Sequence, residues 1–327
     1  MPIDQILPHK TIDVHVSPRH GKKLSADTVL RVGVHPNNLH LQLAALAWNR
    51  SEDRPDIEFV NYAEGRDTGQ LIAERVIDVG GTGSTPPLIA QSLGTPLVYV
   101  AASAPRKTNG AILALADGPK DIHALAGKRV ALLDGSFHTH FLAAALDRAG
   151  HALEEVTRVE LSPAESLGAL ERREVDAWIA MEPLLSDALA NKPVRALEWI
   201  GDFVANRSVF WAHQSAAIEH APALNALFDS LVRLGKDVTR DPAPFATLLA
   251  DAGIGNVSEQ AWLTALRQRD WSLHTVDETI LGEQQAEADL LFRCGVLTRA
   301  VDVREGNRLV PIAPFLSLSN NSISDFK

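Results

Sequence analysis

The sequence holds a single cysteine, Cys294, among 327 residues. A disulfide framework, a Cys-x-x-Cys redox pair and a multi-thiolate zinc site are therefore excluded within one chain. Long apolar runs are missing as well: no segment offers the ~18 continuous apolar residues of a membrane-spanning helix. Positive charge is in deficit, with 31 Lys plus Arg against 41 Asp plus Glu and a formal net charge of −10. That balance excludes a general nucleic-acid binder and disfavours attachment to a membrane through a basic face. Signature motifs are scarce. There is no Gly-x-Ser-x-Gly elbow and no His-Glu-x-x-His. Gly81-Thr82-Gly83-Ser84 lacks the Gly-Lys-Ser/Thr of a phosphate loop and the third glycine of a dinucleotide fingerprint. No cofactor and no metal are expected. His138 and His140 would need His35 and Glu182 as further ligands to hold an ion.

The first 28 residues also lack the apolar run of a secretory leader, because Ile6 and Leu7 are followed at once by Pro8, His9 and Lys10. The expectation is a cytoplasmic protein if the sequence is complete, or a periplasmic one if a leader is missing from it. The segment reads as a polar arm with a strand-like piece at Thr11–Val16.

What is present is an ordinary globular composition, 46% hydrophobic and 22% charged, long enough for two domains. From Val29 onward, short β-rich runs alternate with helical ones. Val29–Val34, Ile57–Tyr62, Val76–Gly80 and Leu97–Ala102 read as strands, with helices at Leu39–Trp48, Gln70–Arg75 and Leu88–Leu93. The pattern restarts at Ala111–Ala116 and continues through strands at Arg129–Leu133, Val156–Leu161 and Val175–Ile179. A further strand is expected at Val209–Ala212, and most of 221–292 reads as helix. The alternation predicts an α/β fold with mixed, mainly parallel sheets. No internal repeat of fixed period stands out, and no low-complexity linker separates the units, which suggests two lobes joined by strands.

In α/β sheets, ligands sit beyond the carboxyl ends of strands, where helix N-termini point. Four segments are expected there: His35 to Asn38, Gly81 to Ser84, Gly135 to His140, and Met181-Glu182-Pro183. Two glycine and hydroxyl loops, each opening a helix, would clamp an oxyanion with neutral donors. Within them His35, Thr82, Gly83, Ser84, Ser136, Thr139, His138 and His140 are candidate contacts. Glu182 would either accept a hydrogen bond from a ligand or cap a helix. Arg269 would reach an anion or pair with a nearby acid. Cys294, close to Leu291 and Phe292, reads as a structural thiol.

Val76-Ile77-Asp78-Val79-Gly80-Gly81-Thr82-Gly83-Ser84-Thr85-Pro86-Pro87, followed by Leu97-Val98-Tyr99-Val100, resembles the aliphatic-sulfonate, taurine and nitrate family of ABC-transporter solute-binding proteins. The resemblance extends over about residues 29–305, through Leu125–Ala131, Gly135-Ser136 with His140, Val175–Trp178 and Leu291–Val303. It implies a two-lobed type II periplasmic-binding-protein fold. Lobe 1 would comprise 29–108 plus 212–300 and lobe 2 109–211, with a hinge near Asn109–Ala111 and Val209–Trp211 and a C-terminal tail at 301–327. It implies a small organic anion such as a sulfonate between the lobes, a monomer, and an ABC-transporter permease as partner. By position it implies contacts from His35, Asn37, Thr82 to Ser84, Ser136, Thr139, Glu182, Asn206 and Arg269. Ser84 stands where the family commonly has an acid, and Met181-Glu182-Pro183 where it has Trp-Asp-Pro. The same fold also hosts a cytoplasmic enzyme, the aryl-sulfinate desulfinase, whose reactive cysteine is matched here by His35. A lyase or hydrolase with His35 as general base is the alternative reading.

Overall fold

The computed structural model describes residues 12–16, 29–48, 56–182, 184–256 and 258–314. Most of the expected polar arm, Pro183 and residues 315–327 of the expected tail lie outside the described residues. The first half of the chain runs β1 (His15–Val16), β2 (Leu30–Val34), α1 (Leu39–Trp48), β3 (Ile57–Asn61), α2 (Thr68–Ala73), β4 (Val79–Thr82), α3 (Thr85–Ser92) and β5 (Leu97–Ser103). The chain then crosses to a second sheet: β6 (Gly110–Leu115), β7 (Arg129–Leu132), α4 (Phe137–Arg148), β8 (Thr157–Glu160), α5 (Pro163–Glu171), β9 (Ala177–Met181), α6 (Leu184–Asn191) and β10 (Val194–Trp199). It crosses back into β11 (Val209–His213), α7 (Gln214–Glu219), α8 (Ala221–Arg240), α9 (Ala243–Asp251), α10 (Glu259–Gln268), β12 (Leu273–Thr275), α11 (Glu278–Arg293) and α12 (Glu305–Leu309).

The first sheet has the order β1-β3-β2-β4-β11-β5-β12 and the second β10-β6-β9-β7-β8. β2 is parallel to β3 and β4, and β7 is parallel to β8 and β9. β11 lies antiparallel between β4 and β5, and β6 lies antiparallel between β9 and β10. In each sheet the strand that has just crossed from the other lobe runs against its neighbours, and in the first sheet the edge strands β1 and β12 are reversed as well. Reverse travel is what a crossing strand must have if the carboxyl ends of both sheets are to face each other.

Val209–Trp211 is not a crossing segment. It is the start of an interior strand, fully buried and paired on both sides. Asn109–Ala111 likewise runs into β6. The two crossings are 104–109 and 203–208, and they hydrogen-bond to each other. Ser103 N–H donates to the Ser208 carbonyl at 2.8 Å, and Arg106 N–H donates to the Ala205 carbonyl at 3.0 Å. The tail begins later than 301, because Asn307 docks on β5. Its amide accepts from Tyr99 N–H at 3.0 Å and donates to the Tyr99 carbonyl at 2.7 Å, as a strand neighbour would.

A repeat not evident in the sequence emerges from the packing. In lobe 1, Asp78 accepts from Arg31 N–H and Nε, both at 2.9 Å, while the Arg31 guanidinium also bonds the Arg75 carbonyl. In lobe 2, Asp176 accepts from Arg129 N–H at 2.9 Å and Nε at 3.3 Å, and the Arg129 guanidinium bonds the Arg173 carbonyl at 2.8 Å. The separations, 47 and 44 residues, are the same in both lobes. Arg75 and Arg173 share the left-handed backbone conformation, with φ of 58° and 59°. Few side chains match between β2–β4 and β7–β9, which is why the duplication is invisible to a residue-by-residue reading. The clamp sits where each parallel pair of strands begins, at the end of the sheet away from the cleft.

Candidate functional site

The carboxyl ends of β2 and β4 carry the lobe 1 candidates. His35 follows β2, is 4% exposed, and its Nε2 donates to the Gly81 carbonyl at 2.8 Å. A carbonyl only accepts, so Nε2 bears the proton and Nδ1 keeps its lone pair, buried and without a partner. Burial lowers the pKa of this imidazole to about 4, so it is neutral at physiological pH. The neighbouring asparagines divide differently from the expectation. Asn37 is exposed. Asn38 is 1% exposed, its Oδ1 accepts from Leu41 N–H at 3.2 Å as the cap of α1, and its Nδ2 has no partner. Gly81 has to be glycine, because a Cβ there would lie 2.3 Å from Asn38 Nδ2 and 2.7 Å from Phe210.

Behind this loop lies a cationic cluster. His40 is fully buried, donates from Nε2 to the Trp271 carbonyl at 3.3 Å and accepts at Nδ1 from the Arg269 guanidinium at 3.4 Å. Its ring meets Phe210 edge-on at 5.9 Å, which ties the cluster to Gly81 and Asn38. Arg269 lies 5.0 Å from the Trp271 ring, and its Nε is shut off from solvent without a partner. Burial, and then the charge of Arg106, pulls the Arg269 guanidinium down to about 9; burial alone takes Arg106 to about 10. Burial and the charge of Arg269 hold His40 neutral.

Several expected contacts turn out to be committed elsewhere. Thr82 is buried, with its hydroxyl between the Gly83 carbonyl at 2.7 Å and Trp211 Nε1 at 3.1 Å. Ser136 caps α4, accepting from His138 N–H at 3.1 Å and donating to the Leu133 carbonyl at 2.7 Å. Thr139 donates to Asp134 at 2.7 Å and accepts from Gly135 N–H at 3.0 Å, so its hydroxyl braces its own loop. His138 is buried in lobe 2, and burial takes its pKa to about 4. Glu182 takes the capping role, accepting from the Ser186 hydroxyl at 2.7 Å at the start of α6. Asn206 adopts a φ of 50° and binds Arg106 with both its amide and its carbonyl, so it fixes the crossing. Ser84 is half-buried, and its carbonyl accepts from Gln284 Nε2 at 3.0 Å. The two prolines after Thr85 remove donors from the first turn of α3.

The lobes meet along one side of the cleft. His140 on α4 comes within 2.9 Å of Glu287 on α11, which also accepts from Thr85 at 2.5 Å. Arg66 of lobe 1 pairs with Glu160 of lobe 2 at 2.7 Å. Gly83 faces Phe137, and a Cβ at 83 would sit 2.7 Å from that ring. Gly83→Ala is therefore expected to hold the lobes apart, read as a larger radius of gyration in small-angle X-ray scattering. Phe137→Ala should restore the compact form in the double variant, and an unchanged radius in Gly83→Ala would count against this contact as the stop.

The structure thus gathers His35, Asn38, Gly81, Thr82 and Arg269 into one region, joined by His40 and Arg106, which the sequence did not point to. Among the described residues neither Arg106 nor Arg269 has a carboxylate partner, and no three His, Cys, Asp or Glu side chains are placed to hold a metal ion. Cys294 ends α11, and burial raises its thiol pKa, so it is a poor nucleophile there.

Residues 55–196 match the family described as NMT1/THI5 like. A Bacillus subtilis (strain 168) protein named as an aliphatic sulfonates-binding protein is 31% identical over 258 residues, covering 76% of this chain and 75% of its own length. The crystal structure of the periplasmic aliphatic sulphonate binding protein SsuA from Escherichia coli superposes with a TM-score of 0.74 at 26% identity. It covers 92% of this chain and 96% of that one. The alkanesulfonate-binding protein SsuA from Xanthomonas axonopodis pv. citri bound to MOPS gives 0.73 at 25% identity, covering 85% and 97%.

Proposed function

We propose that this chain, which belongs to the family of the aliphatic sulfonates-binding proteins, captures a small organic sulfonate between its two lobes as the solute-binding component of an ABC importer. The observation that carries this reading is the pair of buried, unpartnered donors Asn38 Nδ2 and Arg269 Nε, with the guanidinium of Arg106, held only by Asn206, near enough to bear on Arg269. Buried donors without acceptors are costly, and an oxyanion supplies acceptors and charge together. The fold supports the same reading, since two lobes on paired crossings can close around a solute. On this reading the protein acts as a monomer in the periplasm and presents its closed form to a permease.

His35 fits a binding role better than a catalytic one. A group with a pKa of about 4 is a weak proton acceptor, and its Nδ1 lone pair suits a hydrogen bond from a ligand hydroxyl, an ammonium group or a water. The test is thermal unfolding and calorimetry with ethanesulfonate against acetate and nitrate. Ethanesulfonate at about 100 times its Kd should add about 2.7 kcal/mol of stability. Absence of any stabilisation by ethanesulfonate, taurine or MOPS would sink the reading.

A further inference from the structure

The cleft holds more positive charge than one sulfonate neutralises. Other partly buried arginines have acids of their own: Arg31 has Asp78 at 2.8 Å, and Arg207, in the crossing that pairs with the one carrying Arg106, has Glu283 at 2.7 Å. Arg106 and Arg269 do not. Arg106 is held by neutral acceptors, the Asn206 carbonyl at 2.9 Å and its amide oxygen at 3.4 Å. Arg269 is held by neutral His40 at 3.4 Å and has an idle Nε. The two guanidiniums are close enough for the charge of Arg106 to lower the pKa of Arg269, and for both, after burial, to help hold His40 neutral. Two desolvated like charges without a counter-charge are unfavourable, and an incoming anion relieves both terms. Asn38, 1% exposed and with Nδ2 unpartnered, adds a neutral donor to the same region.

We propose that the ligand is an organic sulfonate carrying a second anionic group, so that its two charges balance the two guanidiniums of Arg106 and Arg269. This rests on the sulfonate reading above and narrows it. A simple alkanesulfonate leaves one guanidinium uncompensated. A taurine-like ligand brings an ammonium group into the cationic cluster and is worse still.

The test compares ligands of matched size by calorimetry on the full chain at neutral pH and low salt. Sulfoacetate carries two charges where ethanesulfonate carries one, and malonate carries two without a sulfonate. Sulfoacetate is expected to bind about ten-fold or more tighter than ethanesulfonate, the size of one charge-assisted contact. Arg106→Gln should pull that ratio toward one, while Arg106→Lys, which keeps the charge, should preserve most of it. Equal or tighter binding of ethanesulfonate overturns the proposal and leaves the sulfonate reading standing. Inorganic sulfate binding as tightly as sulfoacetate also overturns it, since two charges on one group would then suffice. If malonate binds and no sulfonate does, both this proposal and the sulfonate reading fail. Should Arg106→Gln not fold, the ligand series on the unaltered protein decides by itself.

Discussion

Replacing Asp78 with alanine is expected to lower the unfolding free energy by about 3 kcal/mol, the lower end of the cost of stripping one partner from a buried ion pair. The carboxylate is 0% exposed and accepts from the backbone and the guanidinium of Arg31, with Arg75 at 3.7 Å. Removing it takes the carboxylate partner from Arg31 at the start of β2, while Arg75 keeps Glu219 at 3.7 Å. The matching change in lobe 2, Asp176→Ala, is expected to cost about 1 kcal/mol or less, because a solvated pair contributes little. There Arg129 is 46% exposed and Asp176 25% exposed, so water replaces what is lost. Urea unfolding of both variants checks this directly. Equal losses would mean that burial of the clamp does not set its value.

Acidification is expected to destabilise the protein steeply from about pH 6.5 downward. Burial holds His35 and His138 near pKa 4 and His40 well below 6.5. In the unfolded chain each would titrate near 6.5. Between those values the unfolded state binds protons that the folded state refuses, so stability rises with pH across this window and is lost as pH falls. Each histidine contributes up to about 1.4 kcal/mol per pH unit. His40 carries the sharpest consequence, since a proton on it would stand beside Arg269. Urea midpoints at pH 7 and pH 5 measure the slope. His138→Asn, whose amide oxygen can still accept from Leu133 N–H, should reduce that slope by one histidine's share. A slope unchanged by His138→Asn would show that this histidine does not contribute.

Much of the fold was legible because its local signals agree with its tertiary role. Pro163–Glu171 reads as a helix, and α5 spans those residues with a reciprocal cap, Glu165 accepting from Ser162 N–H at 3.1 Å. The long amphipathic α8 buries Leu224, Leu227, Phe228, Leu231 and Val238 at helical spacing. Two strands were not legible. Val194–Trp199 contains Arg, Ala, Leu and Glu, all good helix formers, and it is extended because β6 pairs with it. Leu273–Thr275 has three residues and exists by adding to the edge of β5.

The site divides along the same line. Glycines at the strand ends and Arg269 were readable as residue types. Which of two adjacent asparagines turns inward was not, because that depends on which one caps α1. Nor was the fate of the hydroxyls of Thr82, Ser136 and Thr139. Each looks like a free donor in the sequence, and each is used by a neighbour in its own loop or by Trp211. Arg106 gave no signal, because its lack of an acid is a property of residues 100 positions away and of the crossing they share.

The insertion of β11 between β4 and β5 has a consequence for how the chain is made. Lobe 2 is continuous in sequence, and its last strand ends at Trp199. Lobe 1 is split, and the strand that joins its halves begins at Val209. At about 5–20 residues per second, a ribosome that has finished β5 needs roughly 5–20 s more to deliver β11. During that interval β4 and β5 carry open edges, while the second lobe can already close its own sheet. The chain order therefore delivers every strand of lobe 2 before lobe 1 receives its interior strand β11, and Arg269 is delivered later still.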